Sequence, residues 1–254
     1  MERVSIICLI YKSTDYAEFV YDNIRRYTPE LDTWGAEFFF VANDATPEVL
    51  DFLKTKKYPH LINNNPTYTD EERYSRGFAI PEYMSKVYMG YNFGMRMAKS
   101  PILMLVSSDN CFSPHWLPNL RKRLTHHVVV SPKLIQPLYP FENPINLTPC
   151  LVGEFGTGIK TFDECGFLQE VSKVSVNSES IGVAFMPLMI YKDVARAAGY
   201  YPEGNLHGGD YNRVAVYGDQ AFYKRLSKMG VKHITSNDSI VYHFNEGEKL
   251  SKLE

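Results

Sequence analysis

Apolar residues fall in short β-branched or aromatic runs that alternate, through the first half of the chain, with stretches of helical periodicity. Val4 to Ile10 reads as a buried strand. Ser13-Thr-Asp then offers an N-cap to a helix on which Ala17, Val20, Ile24 and Tyr27 recur along one face. Glu37-Phe-Phe-Phe-Val-Ala42 repeats the strand, and Thr46-Pro47 supplies a cap and first helical position ahead of Val49, Leu50, Phe52 and Leu53. His60-Leu-Ile-Asn63 is a weaker third strand, and Tyr83 to Lys99 carries helical signals. Ile102 to Val106 is a fourth strand, and Ser113-Pro114 opens a helix through Leu124. Strands alternating with helices predict an α/β fold: a Rossmann-like, mainly parallel sheet flanked by helices on both faces.

The second half is less regular. Residues 132–180 hold Pro132, Pro137, Pro140, Pro144 and Pro149 and a glycine patch from Gly153 to Gly158, and predict a long loop region. Ala184 to Ile190 resumes strand character, Asp219 to Met229 is helical with Gly230 as its stop, and Ser239 to Tyr242 is a last short strand. The tail from Glu246 to Glu254 mixes charges and reads as a solvated end. Neither a repeat nor a linker composition divides the chain, so a single domain over 1–254 is expected.

Composition narrows the partners. The 254 residues are 44% hydrophobic and 14% aromatic, enough for a sizeable core. A formal charge of −2 argues against a long nucleic-acid backbone as partner, because such affinity rests on dense Lys and Arg. Cys8, Cys111, Cys150 and Cys165 lie far apart without a C-x-x-C pair, which favours reduced thiols and a cytoplasmic protein. The opening Met1-Glu-Arg runs straight into Val4 to Ile10, too short for a signal peptide or a transmembrane segment. Membrane contact is expected to be peripheral at most, and the sequons at Asn146 and Asn237 idle.

Parallel sheets bind ligands beyond the carboxyl ends of their strands. Here those ends are polar: Tyr11-Lys12, Asn43-Asp44, Asn64-Asn65 and Ser107-Ser-Asp-Asn110. The loop after strand 1, Ile10-Tyr-Lys-Ser-Thr14, has no glycine, which argues against a dinucleotide-binding fold or a P-loop. Phe155-Gly-Thr-Gly158 lies outside that context and is expected to be a turn.

Four blocks together resemble family 2 glycosyltransferases with the GT-A fold. They are Val4 to Lys12, Phe40-Val-Ala-Asn-Asp-Ala-Thr46, Ser100 to Asn110 with its preceding helix, and Tyr217-Gly-Asp-Gln-Ala-Phe-Tyr-Lys-Arg-Leu226. The resemblance implies a nucleotide-sugar-binding half, 1–130, and an acceptor-binding half, 131–254. It implies an inverting transfer from a nucleotide-diphosphate sugar, UDP-linked first and GDP-linked next, to a hydroxyl of a glycan, lipid-linked or protein acceptor. A catalytically inactive sugar-nucleotide-binding protein and a retaining GT-A transferase remain as alternatives.

By the same resemblance Ile10, Tyr11, Asn43 and Asp44 hold the donor's base, where a ring can stack and a carboxylate can accept from an imide N–H. Asn43-Asp44 is equally the start of a turn. Ser107-Ser108-Asp109 corresponds to the D-x-D motif, in which acids hold Mn²⁺ or Mg²⁺ against the diphosphate. Asp109 matches the last acid, and Ser107 stands where the first acid is usual. Asp109 is otherwise a helix-capping acid. His243 corresponds to a late histidine near the metal, and is otherwise a structural residue. Asp219 matches the second acid of an E-D motif and is the implied general base, with Gly218 in place of the first acid. The helix dipole is expected to keep the Asp219 pKa low unless burial opposes it. Trp116, His207, Asp210 and Gly218 are candidates for the acceptor side, with Tyr200 and Tyr201 beside Trp116 as candidate ring faces; each of these aromatics is otherwise, and more simply, a core or rim residue.

Overall fold

The structure, a computed structural model, describes residues 2–65, 81–138, 150–182, 186–203, 218–244 and 248, with the backbone alone at 81–84. Strand β1 (Val4–Ile10) pairs in parallel with β2 (Glu37–Asn43) on one side and β4 (Ile102–Ser107) on the other. The near-continuous apolar composition of these strands follows from helices covering both faces. β3 (His60–Asn63) continues the parallel set beyond β2. Helix α1 (Thr14–Tyr27) starts at Ser13, whose Oγ accepts from the Tyr16 N–H at 3.2 Å, and buries Ala17, Val20 and Ile24. After the short α2 (Glu30–Thr33), helix α3 (Pro47–Thr55) is capped by Thr46, whose Oγ1 accepts from the Val49 N–H.

Helix α4 (Pro81–Met97) lies close on β1 and β2 because two glycines, one turn apart, face them. A Cβ on Gly94 would come within 2.5 Å of Ile7 Cγ2, and one on Gly90 within 2.7 Å of the Asn43 amide. The Tyr91 hydroxyl, on the same helix, donates to the Val106 carbonyl at 3.0 Å.

The remaining elements complete a single sheet in the order β3-β2-β1-β4-β9-β6-β10-β5. They are β5 (Asn110–Phe112), α5 (Trp116–Arg121), β6 (Val128–Gln136), β7 (Leu151–Val152), a 3-10 turn at Ile159–Thr161 and α6 (Glu164–Val174). β8 (Glu179–Ile181), β9 (Leu188–Tyr191), α7 (Lys192–Ala197), α8 (Gly218–Lys228) and β10 (Lys232–His243) follow. β9 runs antiparallel between β4 and β6, and β5 pairs antiparallel with β10. The parallel core expected from the alternation is present, with these reversed strands inserted on one side.

Two expectations are corrected. Residues 132–180 are not one long loop: Pro132 sits inside β6, and Asp163 caps α6 by accepting from the Gly166 N–H at 2.9 Å. A proline cannot donate to a sheet ladder, and it is tolerated where the pairing is irregular. Ser236 pairs with Pro132 and Ile240 with Lys133, so β10 bulges at that point. The bulge is held by Asp238, whose carboxylate takes Ser236 Oγ and Arg123 and whose carbonyl accepts from Asn119. The last strand is consequently twelve residues long rather than four. The helix expected from Ser113 to Leu124 is shorter, because Asn110–Phe112 forms β5 and His115 takes a left-handed φ of 63° just before α5.

Gly94→Ala is expected to lower stability by about 1–3 kcal/mol through overpacking against Ile7. Urea unfolding measures this, and an unchanged midpoint would mean that α4 can lift from the sheet at no cost.

Candidate functional site

β2 and β3 lie to one side of β1 and β4 to the other, so the chain's switch point is the crevice beyond the carboxyl ends of β1 and β4. Leu9 is in register with Ser107, which brings the two following loops to the same level. The Thr46 N–H donates to the Tyr11 carbonyl at 3.0 Å and ties the loop after β1 to the loop after β2.

Within the base-side group the structure separates four residues. Tyr11 is half-buried at the crevice. Asp44 is half-buried with a left-handed φ of 52°, a conformation Asp tolerates better than most residues, and its N–H donates to the Asn63 carbonyl at 2.8 Å. Its carboxylate makes no hydrogen bond among the described residues, so it can accept one. Asn43 is different: its Oδ1 accepts from Asn63 at 2.9 Å and Asn65 at 2.7 Å, and its Nδ2 donates to the Lys86 carbonyl at 3.2 Å. Its amide is spent on an internal knot. Ile10 is wholly buried in the core and brings no side chain to the crevice.

At the end of β4 the chain turns sharply, with the Ser107 N–H donating to Asn110 Oδ1 at 2.9 Å. Asn110 pairs with His243 across β5 and β10, and the Phe244 N–H donates to the Asp109 carbonyl at 2.9 Å. These contacts fix Asp109 beside His243, with Oδ2 3.5 Å from Nε2. The other imidazole nitrogen, Nδ1, lies 3.3 Å from Gln136 Oε1. A proton on Nδ1 would serve that contact and leave Nε2 as a lone pair facing Asp109. A carboxylate oxygen and an imidazole nitrogen set side by side are a chemically suitable pair of ligands for Mn²⁺. Among the described residues, no group of three or more His, Cys, Asp and Glu could hold a metal ion. A metal here would therefore need oxygens from its ligand.

A further carboxylate enters the crevice from the tail read as solvated. Glu248 Oε2 accepts from the backbone N–H groups of Tyr11, Lys12 and Ser13 at 3.2, 2.7 and 3.0 Å. Its Oε1 accepts from the Ser108 hydroxyl at 2.8 Å, and Ser108 is otherwise buried. Burial pushes the Glu248 carboxyl up, against the opposing pull of these four donors. No sequence signal marks this residue, since a lone acid in a mixed-charge tail carries no periodicity.

Asp219 sits in the first turn of α8, where Oδ1 accepts from the Gln220 N–H at 2.6 Å. Burial raises its carboxyl from the ordinary value, and outweighs the lowering by that N–H and by Tyr88. Burial pushes the Tyr88 hydroxyl well above its ordinary value, and the charge of nearby Asp219 adds to the rise. The Tyr88 ring also accounts for Gly218: a Cβ there would lie 2.5 Å from it.

On the acceptor side Trp116 is corrected. It is fully buried against Phe112, with Nε1 donating to Thr28 Oγ1 at 2.9 Å, and offers no face to a sugar. Tyr201 is likewise core, and Tyr200 is half-buried with Arg96 over its ring. His207 and Asp210 lie outside the described residues. None of Cys8, Cys111, Cys150 and Cys165 forms a disulfide.

The fold is that of the GT-A glycosyltransferases. GalNAc-T7, solved with UDP, GalNAc and Mn²⁺, superposes with a TM-score of 0.59 at 11% identity over 96% of this chain and 43% of that one. The mannosyltransferase PcManGT from Pyrobaculum calidifontis, solved with GDP-Man and Mn²⁺, gives 0.56 at 13% over 96% and 57%. S. aureus TarS 1–349 with UDP-GlcNAc gives 0.55 at 14% over 98% and 61%. The chain thus covers less than two thirds of each of these structures. No protein-family model matches the sequence, and no curated protein matches it significantly.

Gly218→Glu is expected to cost about 1–3 kcal/mol by collision with Tyr88. Combined with Tyr88→Ala, it should cost less than the sum of the two single changes, because the pair is in contact. Additive losses in urea unfolding would show that the ring and the glycine are independent.

Proposed function

We propose that the protein is an inverting glycosyltransferase that moves a sugar from a nucleotide-diphosphate donor, UDP-linked in preference to GDP-linked, to an acceptor hydroxyl. The observation that carries this reading is the convergence at one switch-point crevice of Tyr11 and Asp44 with the Asp109–His243 pair. Support also comes from the nucleotide or nucleotide sugar in each of the three similar structures.

In this reading the Tyr11 ring stacks on the base and Asp44 accepts from its imide N–H. Asp109 and His243 would hold Mn²⁺ or Mg²⁺ together with donor oxygens, and such an ion would offset the charge that collects on the departing diphosphate. Asp219 takes the proton of the acceptor hydroxyl. The acceptor oxygen forms its bond to the anomeric carbon as the bond to the diphosphate breaks, and the electron pair leaves with the nucleotide. A carboxyl raised by burial is a stronger base than an exposed Asp. Among the described residues, no helix is long and apolar enough to cross a membrane.

The second reading, a donor-binding protein without turnover, is favoured by Ser107 and Gly218, each in place of an acid. Asp219→Asn separates the two. It is expected to reduce transfer by about 10²-fold or more while UDP still raises the melting midpoint. Transfer that survives the substitution would remove Asp219 as base, and UDP binding without transfer by the unsubstituted protein would favour the second reading.

The pH dependence has a defined sign. Because burial raises the Asp219 pKa, protonation disables the base at a higher pH than it would an exposed Asp, so kcat should begin to fall on acidification at a higher pH than an exposed Asp would give. A kcat–pH profile with its acidic limb at or below the ordinary Asp value would contradict this.

A further inference from the structure

Three consecutive backbone N–H groups, from Tyr11 to Ser13, converge on a single oxygen of Glu248, and the Ser108 hydroxyl from the neighbouring strand holds the other. The acid lies 235 positions from Ser13, so this is no local turn satisfying its own backbone. Converging main-chain amides are a general way of holding an oxyanion. Here they open onto the crevice between β1 and β4, where a ligand of this sheet is expected.

The carboxylate occupies that place against resistance. Its own burial disfavours its charge, and Asp109 adds a second carboxylate to the same strand end: both acids act on the Cys8 thiol and help to raise it. A phosphate-bearing ligand entering the crevice would bring further negative charge beside both. Like charges in a poorly solvated cleft repel strongly, and Glu248 occupies hydrogen-bond donors that a phosphate oxygen could use equally well.

We propose that the amides of residues 11–13 and the Ser108 hydroxyl form an oxyanion-binding site, that Glu248 fills it in the ligand-free protein, and that a nucleoside diphosphate displaces Glu248 from it. Glu248 is then an internal competitor of the donor rather than a staple that shapes its site. The identity of the displacing ligand rests on the glycosyltransferase reading; the oxyanion site itself does not. The competitor and staple roles differ in sign, since removing a competitor tightens ligand binding and removing a staple weakens it.

The test uses the full chain, unsubstituted and as Glu248→Ala, titrated with inorganic phosphate and separately with UDP at constant ionic strength. Amide ¹H–¹⁵N resonances of residues 11–13 report the site, and calorimetry reports affinity. In Glu248→Ala, phosphate should move those three resonances, whereas the unsubstituted chain should respond far less. UDP should bind the variant about tenfold more tightly, the gain expected when a conformer blocked about nine-tenths of the time is released. Phosphate shifts without any UDP binding would keep the oxyanion site and refute the donor reading. UDP binding that is equal or weaker in the variant, or resonances unmoved by phosphate, would overturn the proposal even if UDP binds elsewhere. Glu248→Gln keeps the size and one acceptor oxygen but loses the charge. If the alanine variant fails to fold, the same two ligands applied to the glutamine variant decide, with a smaller gain expected.

Discussion

The parallel pairing of β1 with β4 is the constraint on which the site depends. Its register runs from Val4 opposite Ile102 to Leu9 opposite Ser107, so the strands end together and their loops face each other across one crevice. A slip of one residue would exchange the two buried faces of β4 and displace Ser108 and Asp109 from the loop at Tyr11–Ser13. The register is protected by burial on both sides: Ile102 to Val106 are fully buried, as are Val4 and Ile6 to Cys8. The crevice is therefore a consequence of core packing, and its polar groups are the residues at which the apolar runs stop.

Helix α4 makes the second connection. Its glycines bring the backbone onto Ile7 and Asn43, its Lys86 carbonyl receives the Asn43 amide, and its Tyr88 ring fills the space beside Gly218. One helix thus touches both the loop after β2 and the start of the helix that carries Asp219. The same ring that excludes a side chain at position 218 belongs to a residue that lowers the Asp219 carboxyl, against the burial that raises it. On the proposed function, Tyr88 thus bears both on the glycine at 218 and on the base at 219.

How much of this could be read from the sequence follows from range. β1, α1, β2 and β4 are encoded locally, by apolar runs and by caps such as Ser13 and Thr46, and they formed where those signals lie. β6 was hidden because Pro132 argues against a strand, and its tolerance depends on a bulge about a hundred residues later in β10. Trp116 looked like a candidate sugar platform because an aromatic near a polar loop has two uses, and only Thr28, 88 positions away, decides for the core. Asn43 and Asp44 are adjacent and looked equivalent. The amides of Asn63 and Asn65 consume the first, while the left-handed backbone presents the second. Glu248 was illegible for the same reason: its partners are main-chain groups at the other end of the chain, and main-chain donors leave no mark in a sequence.

The charges at the crevice make better sense together than singly. The strand end at Ser107-Ser-Asp109 carries one carboxylate of its own, Asp109. Glu248 brings a second carboxylate to that end and bonds to Ser108, the residue next to Asp109. An acid fixed on the strand would meet every incoming phosphate with the same repulsion unless a cation intervened. In the proposed exchange Glu248 gives way, and its departure uncovers three N–H groups and a hydroxyl suited to the phosphate that replaces it. In the proposed reading the repulsion that a fixed acid would impose on the donor becomes an exchange of one anion for another. Asp109 and His243 then remain, among the described residues, as the pair that would hold a metal ion in that reading.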